Sequence, residues 1–249
     1  MTVPGKVERY LIERSKKATI LAALIDPEDF APAKAAQTAA TAERSGASII
    51  LVGGSTVSNQ ARLDAVVKAI RRTVASHVVL FPGNITGVSH YADAILFSSL
   101  LNSTNSYFII GAQALGAMEI YRSGIESIPM GYLIFGNGSA SSFIGQVNSL
   151  PLSKPNLAMI YALAARYLGM RSLYLEAGSG ASEPIPEATI QLVRKFYDGL
   201  LIVGGGITLP EDARRASRAG ADMLVVGNML HMEGFNRKLA QIAEAINRG

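Results

Sequence analysis

The stretches Leu200-Leu201-Ile202-Val203-Gly204-Gly205-Gly206 and Met223-Leu224-Val225-Val226-Gly227-Asn228 each join an apolar run to a glycine-containing loop. Such runs are typical of buried parallel strands that lead into a helix. Glycine lets backbone N–H groups approach phosphate oxygens, and a following helix begins with free N–H donors. Phosphate sites commonly follow the seventh and eighth strands of a (β/α)8 barrel. The two stretches therefore predict such a barrel and a ligand that is a phosphate ester.

The same strand pattern recurs along the whole chain. Eight short apolar runs occupy residues 19–25, 48–52, 77–81, 94–97, 131–135, 172–175, 200–203 and 223–226. Helical patterns lie between most of these runs, at residues 32–45, 62–74, 157–168, 188–196 and 211–219, and a last one closes the chain at 235–247. Alternating strands and helices predict an α/β fold with a parallel sheet. We expect a single TIM-like (β/α)8 barrel that spans residues 1–249 as one domain.

Two intervals depart from this regular alternation. Residues 83–93 are few for a full crossover helix, so we expect the third helix of the barrel to be missing or replaced by an extended segment. Residues 98–130 form a long connection with an apolar run, Tyr107-Phe108-Ile109-Ile110. This connection either forms the wall of a hydrophobic groove or packs as an ordinary helix against the barrel.

Composition excludes several classes of function. The chain has no cysteine, so it has no disulfide, thiolate metal site or cysteine nucleophile, and its three histidines lack the spacing of zinc ligands. The net charge is only +4, and basic residues occur as isolated pairs such as Arg71-Arg72 and Arg214-Arg215, which argues against nucleic-acid binding. No N-terminal run resembles a signal peptide, which predicts a cytoplasmic protein.

The first two strand ends carry polar groups where a barrel enzyme keeps its chemistry. Asp26-Pro27-Glu28-Asp29 places three carboxylates within four residues, and Mg²⁺ typically takes one or two protein carboxylates. The same residues also fit a helix N-terminus, with Asp26 as the cap and Pro27 in the first turn. The hydroxyls of Gly53-Gly54-Ser55-Thr56 either cap the next helix or contact a diphosphate or its metal.

The sixth strand end is the most informative one. Tyr174-Leu175-Glu176 runs directly into Ala177-Gly178-Ser179-Gly180. Side chains alternate along a strand, so Tyr174 and Glu176 are expected to point together into the barrel mouth. Glu176 is then either a general base or hydroxyl-orienting group beside a phosphate, or one half of a structural salt bridge.

Taken together, these segments resemble the geranylgeranylglyceryl phosphate synthase family, which includes the bacterial heptaprenylglyceryl phosphate synthases. The resemblance covers nearly the whole chain. It rests on Leu24-Ile25-Asp26-Pro27, Val52-Gly53-Gly54-Ser55-Thr56, Phe81-Pro82-Gly83-Asn84, Ser99-Leu100-Leu101-Asn102, Tyr107-Phe108-Ile109-Ile110-Gly111, Ile128-Pro129-Met130-Gly131-Tyr132, Tyr174 through Gly180, Gly204-Gly205-Gly206-Ile207 and Val226-Gly227-Asn228.

The resemblance implies a TIM barrel without its third helix, in agreement with the short interval at 83–93. It also implies a transferase that joins a polyprenyl diphosphate, geranylgeranyl diphosphate for this chain, to the primary hydroxyl of sn-glycerol 1-phosphate, forming the first ether bond of archaeal membrane lipids. The glycerol-phosphate site would comprise Tyr174, Leu175, Glu176, Ala177, Gly178, Ser179, Gly180, Gly205, Gly206, Gly227 and Asn228.

The resemblance further implies a Mg²⁺ cofactor held by Asp26 and Ser55, with Thr56 as a neighbour. In the reaction that we expect, Glu176 and Tyr174 are the catalytic residues, and the polyprenyl tail lies in a groove. Residues 98–130 and Phe143 are candidates for the wall of this groove, and the alternative is that their aromatic side chains belong to the core or to a subunit interface. We expect a homo-oligomer, either a dimer or a hexamer, and loose contact with membranes stays open.

Two alternative functions keep the barrel and the phosphate site. One is an isomerase or lyase acting on a small phosphate ester, although no strand end carries a lysine for Schiff-base chemistry. The other is a phosphate-ligand binder without catalytic activity. Prenyl transfer differs from both in requiring Mg²⁺ and an apolar donor.

Overall fold

The computed structural model describes residues 3–136 and 138–247. Its eight parallel strands pair with their neighbours in chain order, and the last strand pairs with the first, so the sheet closes into a barrel. The predicted fold class is therefore confirmed. The strands are β1 (Ile20–Ile25), β2 (Ile49–Val52), β3 (His77–Leu80), β4 (Ala94–Leu100), β5 (Glu126–Ile134), β6 (Ser172–Glu176), β7 (Leu200–Gly204) and β8 (Met223–Val226).

Helices connect the strands and surround the barrel. They are α1 (Lys6–Ser15), α2 (Pro32–Arg44), α3 (Gln60–Arg71), α4 (Ala112–Ser123), α5 (Ala140–Ile144), α6 (Pro155–Tyr167), α7 (Glu187–Phe196), α8 (Pro210–Arg218) and α9 (Phe235–Asn247). Between β3 and β4 the chain forms only a 3₁₀ turn at Ile85–Gly87. The helix that would follow the third strand is thus replaced, as the short interval predicts.

Strand side chains alternate between two apolar layers. Inward-facing residues such as Ile49, Leu51 and Ile202 fill the barrel, while Ile50 and Val203 pack between the strands and the helices. All five are at most 1% exposed, so they contribute fully to hydrophobic stabilisation. The filled interior leaves the carboxyl ends of the strands as the place for a site.

The helix α1 closes the amino-terminal end of the barrel and is not among the helices predicted from the sequence. Its Val7 and Leu11 join the apolar cluster inside the barrel. The carboxylate of Glu126, at the start of β5, accepts the N–H groups of Val7 and Glu8, each at 2.8 Å. The first N–H groups of a helix have no acceptor within the helix, and these bonds provide one for two of them. They also hold α1 across the floor of the barrel.

The connection at residues 98–130 is shorter than the sequence indicates. The strand β4 continues to Leu100, and β5 already begins at Glu126, five residues before the predicted run at 131. These extensions pair continuously, from Ala94 opposite Glu126 to Leu100 opposite Tyr132. Pro129 makes this part of β5 difficult to recognise from the sequence, since proline seldom lies inside a strand.

Several large apolar side chains lie exposed on α4, α5 and α6. Tyr121, Phe143 and Tyr167 are each at least 80% exposed. Exposed apolar patches often mark interfaces, which agrees with the expected homo-oligomer, but the oligomeric state stays a prediction. No helix within residues 3–136 and 138–247 has the length and apolar character that crossing a bilayer requires.

Candidate active site

A cavity of about 300 Å³ lies at the carboxyl ends of the strands. It collects polar residues from β1, β2, β6, β7 and β8 at one barrel mouth. Eleven of the residues predicted to form the metal and substrate sites line it, namely Asp26, Ser55, Tyr174, Glu176, Gly178, Ser179, Gly180, Gly205, Gly206, Gly227 and Asn228.

Leu175 and Ala177, both assigned to the substrate site from the sequence, do not line this cavity. Their side chains pack in the apolar layer between the strands and the helices. Alternation along β6 turns Leu175 away from the barrel interior that contains Tyr174. The N–H of Ala177 donates to the carbonyl of Gly204 at 3.0 Å, so it is already used within the sheet.

The carboxylate of Glu176, at the end of β6, is positioned by two hydrogen bonds. Its Oε1 accepts the N–H of Gly178 at 2.6 Å, and the hydroxyl of Tyr174 donates to the same carboxylate. Glu176 is only 7% exposed. Burial raises the pKa of Glu176, and the two hydrogen bonds lower it by less. A carboxylate with a raised pKa is a stronger base, as general-base chemistry requires.

The glycine loop after β7 fits tightly against the loop after β6. Gly205 and Gly206 have φ angles of 79° and 68°, which lie in the left-handed region. A β-carbon on Gly205 would overlap Oε1 of Glu176, and one on Gly206 would lie 2.7 Å from the backbone of Glu183. Both the backbone angles and the close approach therefore require glycine here.

The loops after β6 and β8 are joined by a side-chain hydrogen bond. The hydroxyl of Ser179 donates to Oδ1 of Asn228 at 2.9 Å. The backbone of Gly180 and Gly227 borders the same part of the cavity. This arrangement concentrates peptide groups on one side of the mouth, where an anionic group can be bound without a basic side chain.

The acidic segment after β1 forms a turn, whereas the alternative interpretation of a helix N-terminus is wrong, because α2 begins only at Pro32. Oδ1 of Asp26 accepts the N–H of Glu28 at 2.9 Å, and a β-carbon on Gly54 would overlap Oδ2. Burial, together with Asp29 and Glu28, raises the pKa of Asp26. A bound cation would stabilise this carboxylate, so Asp26 fits a metal site.

Of the other two carboxylates of this segment, only that of Asp29 borders the cavity, and Glu28 points away from it. Glu28 accepts the N–H of Ser58 at 3.0 Å and lies 3.7 Å from Arg62, and these contacts lower the pKa of Glu28. Asp29 lies at the cavity rim, 3.5 Å from Nε2 of His231. Ser55 lines the cavity beside Asp26, while the neighbouring Thr56 does not.

The described part of the chain contains no group of three or more His, Asp or Glu side chains that could hold a metal. A metal here would be bound by few protein ligands and by substrate oxygens, which is how proteins usually bind Mg²⁺. Among the described residues that line the cavity, Lys and Arg are absent, and His231 is the one basic side chain. Sequence reasoning did not single out His231.

Three aromatic rings meet beside Glu176. The ring centroids of Phe81, Tyr132 and Tyr174 lie 5.2–5.4 Å apart. Sequence reasoning assigned a role to Tyr174 alone. The sequence pattern places the start of the fifth strand at Gly131, directly before Tyr132. Extending this strand toward its amino-terminal end would have predicted, by alternation, that Tyr132 points inward.

The cavity continues into an apolar half on the side of β3 and β4. Its walls come from the segment after β3, from β4, from a π-helix at Tyr107–Gly111 and from α4. The lining side chains include Ile85, Val88, Ile95, Leu96, Phe97, Leu100, Phe108 and Ile120. Phe143, expected in this wall, is 86% exposed, and its neighbours Ser141 and Ile144 line the cavity instead.

The π-helix is fixed to the barrel by polar side chains. Ser99 donates to the carbonyl of Ile109 at 2.7 Å, and Gln113 donates to the carbonyl of Phe108 at 3.1 Å. The hydroxyl of Tyr107 donates to Oδ1 of Asn84 at 2.5 Å and thereby reaches the loop after β3. These bonds hold Phe108 against the cavity. Single-turn π-helices are frequent at functional sites.

A second cavity, of about 280 Å³, shares Ile85, Val88 and Gly116 with the first. It lies where the replaced helix would otherwise stand and reaches His90 and Glu119. A β-carbon on Gly116 would meet only Ile85, at 4.0 Å. Gly116 therefore borders both cavities and leaves apolar space there that a larger side chain would fill.

A model of the PcrB family matches residues 12–246 of the chain. The geranylgeranylglyceryl phosphate synthase of Cenarchaeum symbiosum is 51% identical, over 97% of this chain and 98% of that protein. The enzyme of the same name from Thermococcus gammatolerans is 49% identical, over 98% of this chain and 97% of that protein.

Solved structures agree with this similarity. (S)-3-O-geranylgeranylglyceryl phosphate synthase from Thermoplasma acidophilum, in complex with its substrate sn-glycerol-1-phosphate, superposes with a TM-score of 0.95 at 35% identity, covering 98% of this chain and all of that one. Thiamine phosphate pyrophosphorylase from Pyrococcus furiosus has a TM-score of 0.62 at 12% identity over 94% of this chain and 98% of that one, which shows a shared fold alone.

Proposed function

Since the chain belongs to the PcrB family and is a prenyltransferase like its relatives, we propose that it joins geranylgeranyl diphosphate to the primary hydroxyl of sn-glycerol 1-phosphate, with Mg²⁺ as cofactor. The names of its full-length relatives support this donor, and the glycerol-phosphate complex of the Thermoplasma acidophilum enzyme supports this acceptor.

One observation carries the proposal: a single cavity with a polar half and an apolar half. Glycine loops and Glu176 line the polar half, whereas the apolar half extends away from them past Phe108. A small phosphate ester needs only the polar half. A polyprenyl chain needs an apolar wall of this kind, because exposing it to water is unfavourable.

In this proposal, the acceptor phosphate binds against the loops after β6, β7 and β8. The N–H of Gly178 already binds Glu176, so the backbone of Ser179, Gly206 and Asn228 is left for the phosphate. This position sets the glycerol hydroxyl beside Glu176. Fixing both reacting groups in this way removes much of the entropic part of the barrier.

In the proposed step, Glu176 accepts the proton of the glycerol hydroxyl while the oxygen forms an ether bond to C1 of the prenyl donor. The bond between C1 and the diphosphate oxygen breaks, and the diphosphate leaves with the electron pair. Tyr174 orients the Glu176 carboxylate through its hydrogen bond. The faces of Phe81 and Tyr132 favour positive charge that develops on the allylic carbons.

We propose that Asp26 and the Ser55 hydroxyl hold Mg²⁺. When bound, the ion neutralises the negative charge of the diphosphate and so makes it a better leaving group. The fit rests on the raised pKa of Asp26 and on the absence of Lys and Arg among the described cavity residues. Without a basic side chain of that kind, a diphosphate beside Asp26 would face uncompensated repulsion.

The test is incubation of the purified protein with labelled sn-glycerol 1-phosphate, Mg²⁺ and prenyl diphosphates of ten, fifteen, twenty and twenty-five carbons. Mass analysis of the organic phase should detect a prenylglyceryl phosphate, most of it from the twenty-carbon donor, and EDTA should abolish it. Ether formation that persists in EDTA would overturn the role of the metal. Binding of glycerol phosphate without ether product from any donor would favour a phosphate-binding or isomerase barrel instead.

A further inference from the structure

His231 differs from every other described residue that lines the cavity, because it is the one side chain there that can carry a positive charge. Three carboxylates, those of Asp26, Asp29 and Glu176, line the same cavity. Building on the proposed function, we propose that His231 is a binding residue for the diphosphate group of the prenyl donor. It would act alongside the cation held by Asp26 and Ser55.

The imidazole is 44% exposed and has two side-chain neighbours, one aromatic and one acidic. His231 stacks on Phe30, with ring centroids 4.6 Å apart and an angle of 24° between the planes. Phe30 is only 5% exposed and belongs to the core, so it gives the imidazole a firm support. Nε2 of His231 lies 3.5 Å from Oδ2 of Asp29. A ring positioned in this way loses little rotational freedom when it binds a ligand.

The position of His231 favours the diphosphate over the glycerol phosphate. His231 ends the 3₁₀ turn that starts at Asn228, and from there it turns toward the loop after β1, which carries Asp26 and Asp29. The glycerol-phosphate side has backbone donors, whereas the Asp26 side is acidic and gains most from a cationic partner.

A charged imidazole hydrogen-bonded to a diphosphate oxygen forms a charge-assisted bond, which is stronger than a neutral one. Its loss should weaken binding of the diphosphate without disturbing the glycerol-phosphate site. Inorganic pyrophosphate shares the group in question and lacks the tail, so it reports on diphosphate binding without any contribution from the apolar wall.

The experiment compares the wild type with His231→Gln and His231→Phe in the presence of Mg²⁺. We expect both substitutions to raise the KM for geranylgeranyl diphosphate and the inhibition constant of pyrophosphate by about tenfold, which corresponds to about 1.4 kcal/mol. The KM for sn-glycerol 1-phosphate should stay within about twofold of the wild type. His231→Phe keeps an aromatic ring for Phe30, so it separates lost stacking from lost charge.

His77→Gln is the matched control. His77 also pairs with a carboxylate, Asp93, at 3.7 Å, and also contacts an aromatic ring, that of Tyr10. It lies at the start of β3, at the opposite end of the barrel from the cavity. Its substitution should leave both KM values and the pyrophosphate inhibition unchanged.

Unchanged pyrophosphate affinity in His231→Gln would overturn the assignment, and so would an equal rise in the KM values of both substrates. These results are distinct from a failure of the proposed function. If the wild type forms no ether product, prenyl transfer itself is wrong. If the wild type forms the ether and the variant binds pyrophosphate normally, only the role of His231 is wrong.

Discussion

The side chain of Glu176 occupies the space that a side chain on Gly205 would need. A β-carbon on Gly205 would overlap Oε1 of Glu176 and would lie 2.7 Å from the backbone nitrogen of Gly178. Gly205 also has a φ angle of 79°. The loop after β7 and the candidate base on β6 are therefore built to fit one another.

Gly205→Ala should lower both the stability of the protein and its affinity for sn-glycerol 1-phosphate. The left-handed backbone costs an alanine about 1–2 kcal/mol, and the added methyl group displaces Glu176. We expect the affinity, measured by calorimetry, to fall at least about tenfold. Gly124→Ala is the control, because Gly124 has a similar φ of 69° with no atom within 4 Å of its β-carbon. If Gly205→Ala binds as well as Gly124→Ala does, the fit has no role in binding.

Glu176→Gln should lose turnover by a factor of about 10²–10⁴, the usual contribution of a general base. The amide oxygen can still accept the N–H of Gly178, so the affinity for sn-glycerol 1-phosphate should stay within a few-fold. Burial raises the pKa of Glu176 in the folded protein. At a pH above the pKa that this side chain has in the unfolded chain, its negative charge therefore destabilises the folded state. The melting temperature at pH 7 should therefore not fall. Near-normal turnover would remove Glu176 from the mechanism.

Tyr174→Phe should move the acidic limb of the kcat/KM profile to higher pH. The base must be ionised, so activity is lost as the pH falls through the raised pKa of Glu176. The hydroxyl of Tyr174 lowers that pKa by binding the carboxylate, and its removal raises the pKa further. Tyr132→Phe is the control, since the Tyr132 hydroxyl binds Ser141. A limb that stays in place in Tyr174→Phe would contradict the assignment of Glu176 as the titrating base.

Gly116→Leu should fill apolar space at the border of the two cavities and disfavour long donors. We expect the ratio of kcat/KM for the twenty-carbon donor to that for the fifteen-carbon donor to fall by about tenfold, as for one lost contact in an apolar pocket. Gly116→Ala meets no close atom, and it should raise the free energy of unfolding by about 0.5–1 kcal/mol. Ala117→Leu, on the exposed side of α4, should leave the ratio unchanged. An unchanged ratio in Gly116→Leu would mean that the tail lies elsewhere.

Glu8→Ala should destabilise the protein by about 3–5 kcal/mol, because it removes one partner of an ion pair whose carboxylate is buried. Glu8 is 3% exposed, and both of its oxygens bind the guanidinium of Arg171, at 2.6 and 2.7 Å. Asp198→Ala breaks the exposed pair with Arg166 and should cost about 0–1 kcal/mol. Chemical denaturation measures both, and equal losses would contradict the importance of burial.

Strand periodicity explains why part of the site could be predicted. The period of two fixes the direction of every side chain on β6, so Tyr174 and Glu176 face the cavity together. The same rule already turns Leu175 outward, and assigning the whole Tyr174–Gly180 run to the site overlooked this. Family resemblance identifies a segment, but alternation decides which of its side chains reach the ligand.

Other features depend on contacts that are distant in the sequence. The turn at Asp26 and the separation of Glu28 from it follow from Ser58 and Arg62, some thirty residues later. His231 reaches Asp29 only because β8 closes the barrel against β1. The helix α1 did carry a local signal, since Val7 and Leu11 stand four residues apart on one face.

The segment that replaces the helix after β3 lines the apolar half of the cavity, on the opposite side of the barrel mouth from the glycine loops. The glycine loops lie after β6, β7 and β8, whereas the apolar walls come from the segment after β3, from β4 and from α4, across the barrel mouth from them. In the proposed arrangement, neither substrate has to pass through the binding place of the other. We therefore expect random order of addition, with either substrate able to bind first, and an ether product whose tail leaves by the route through which the donor came in.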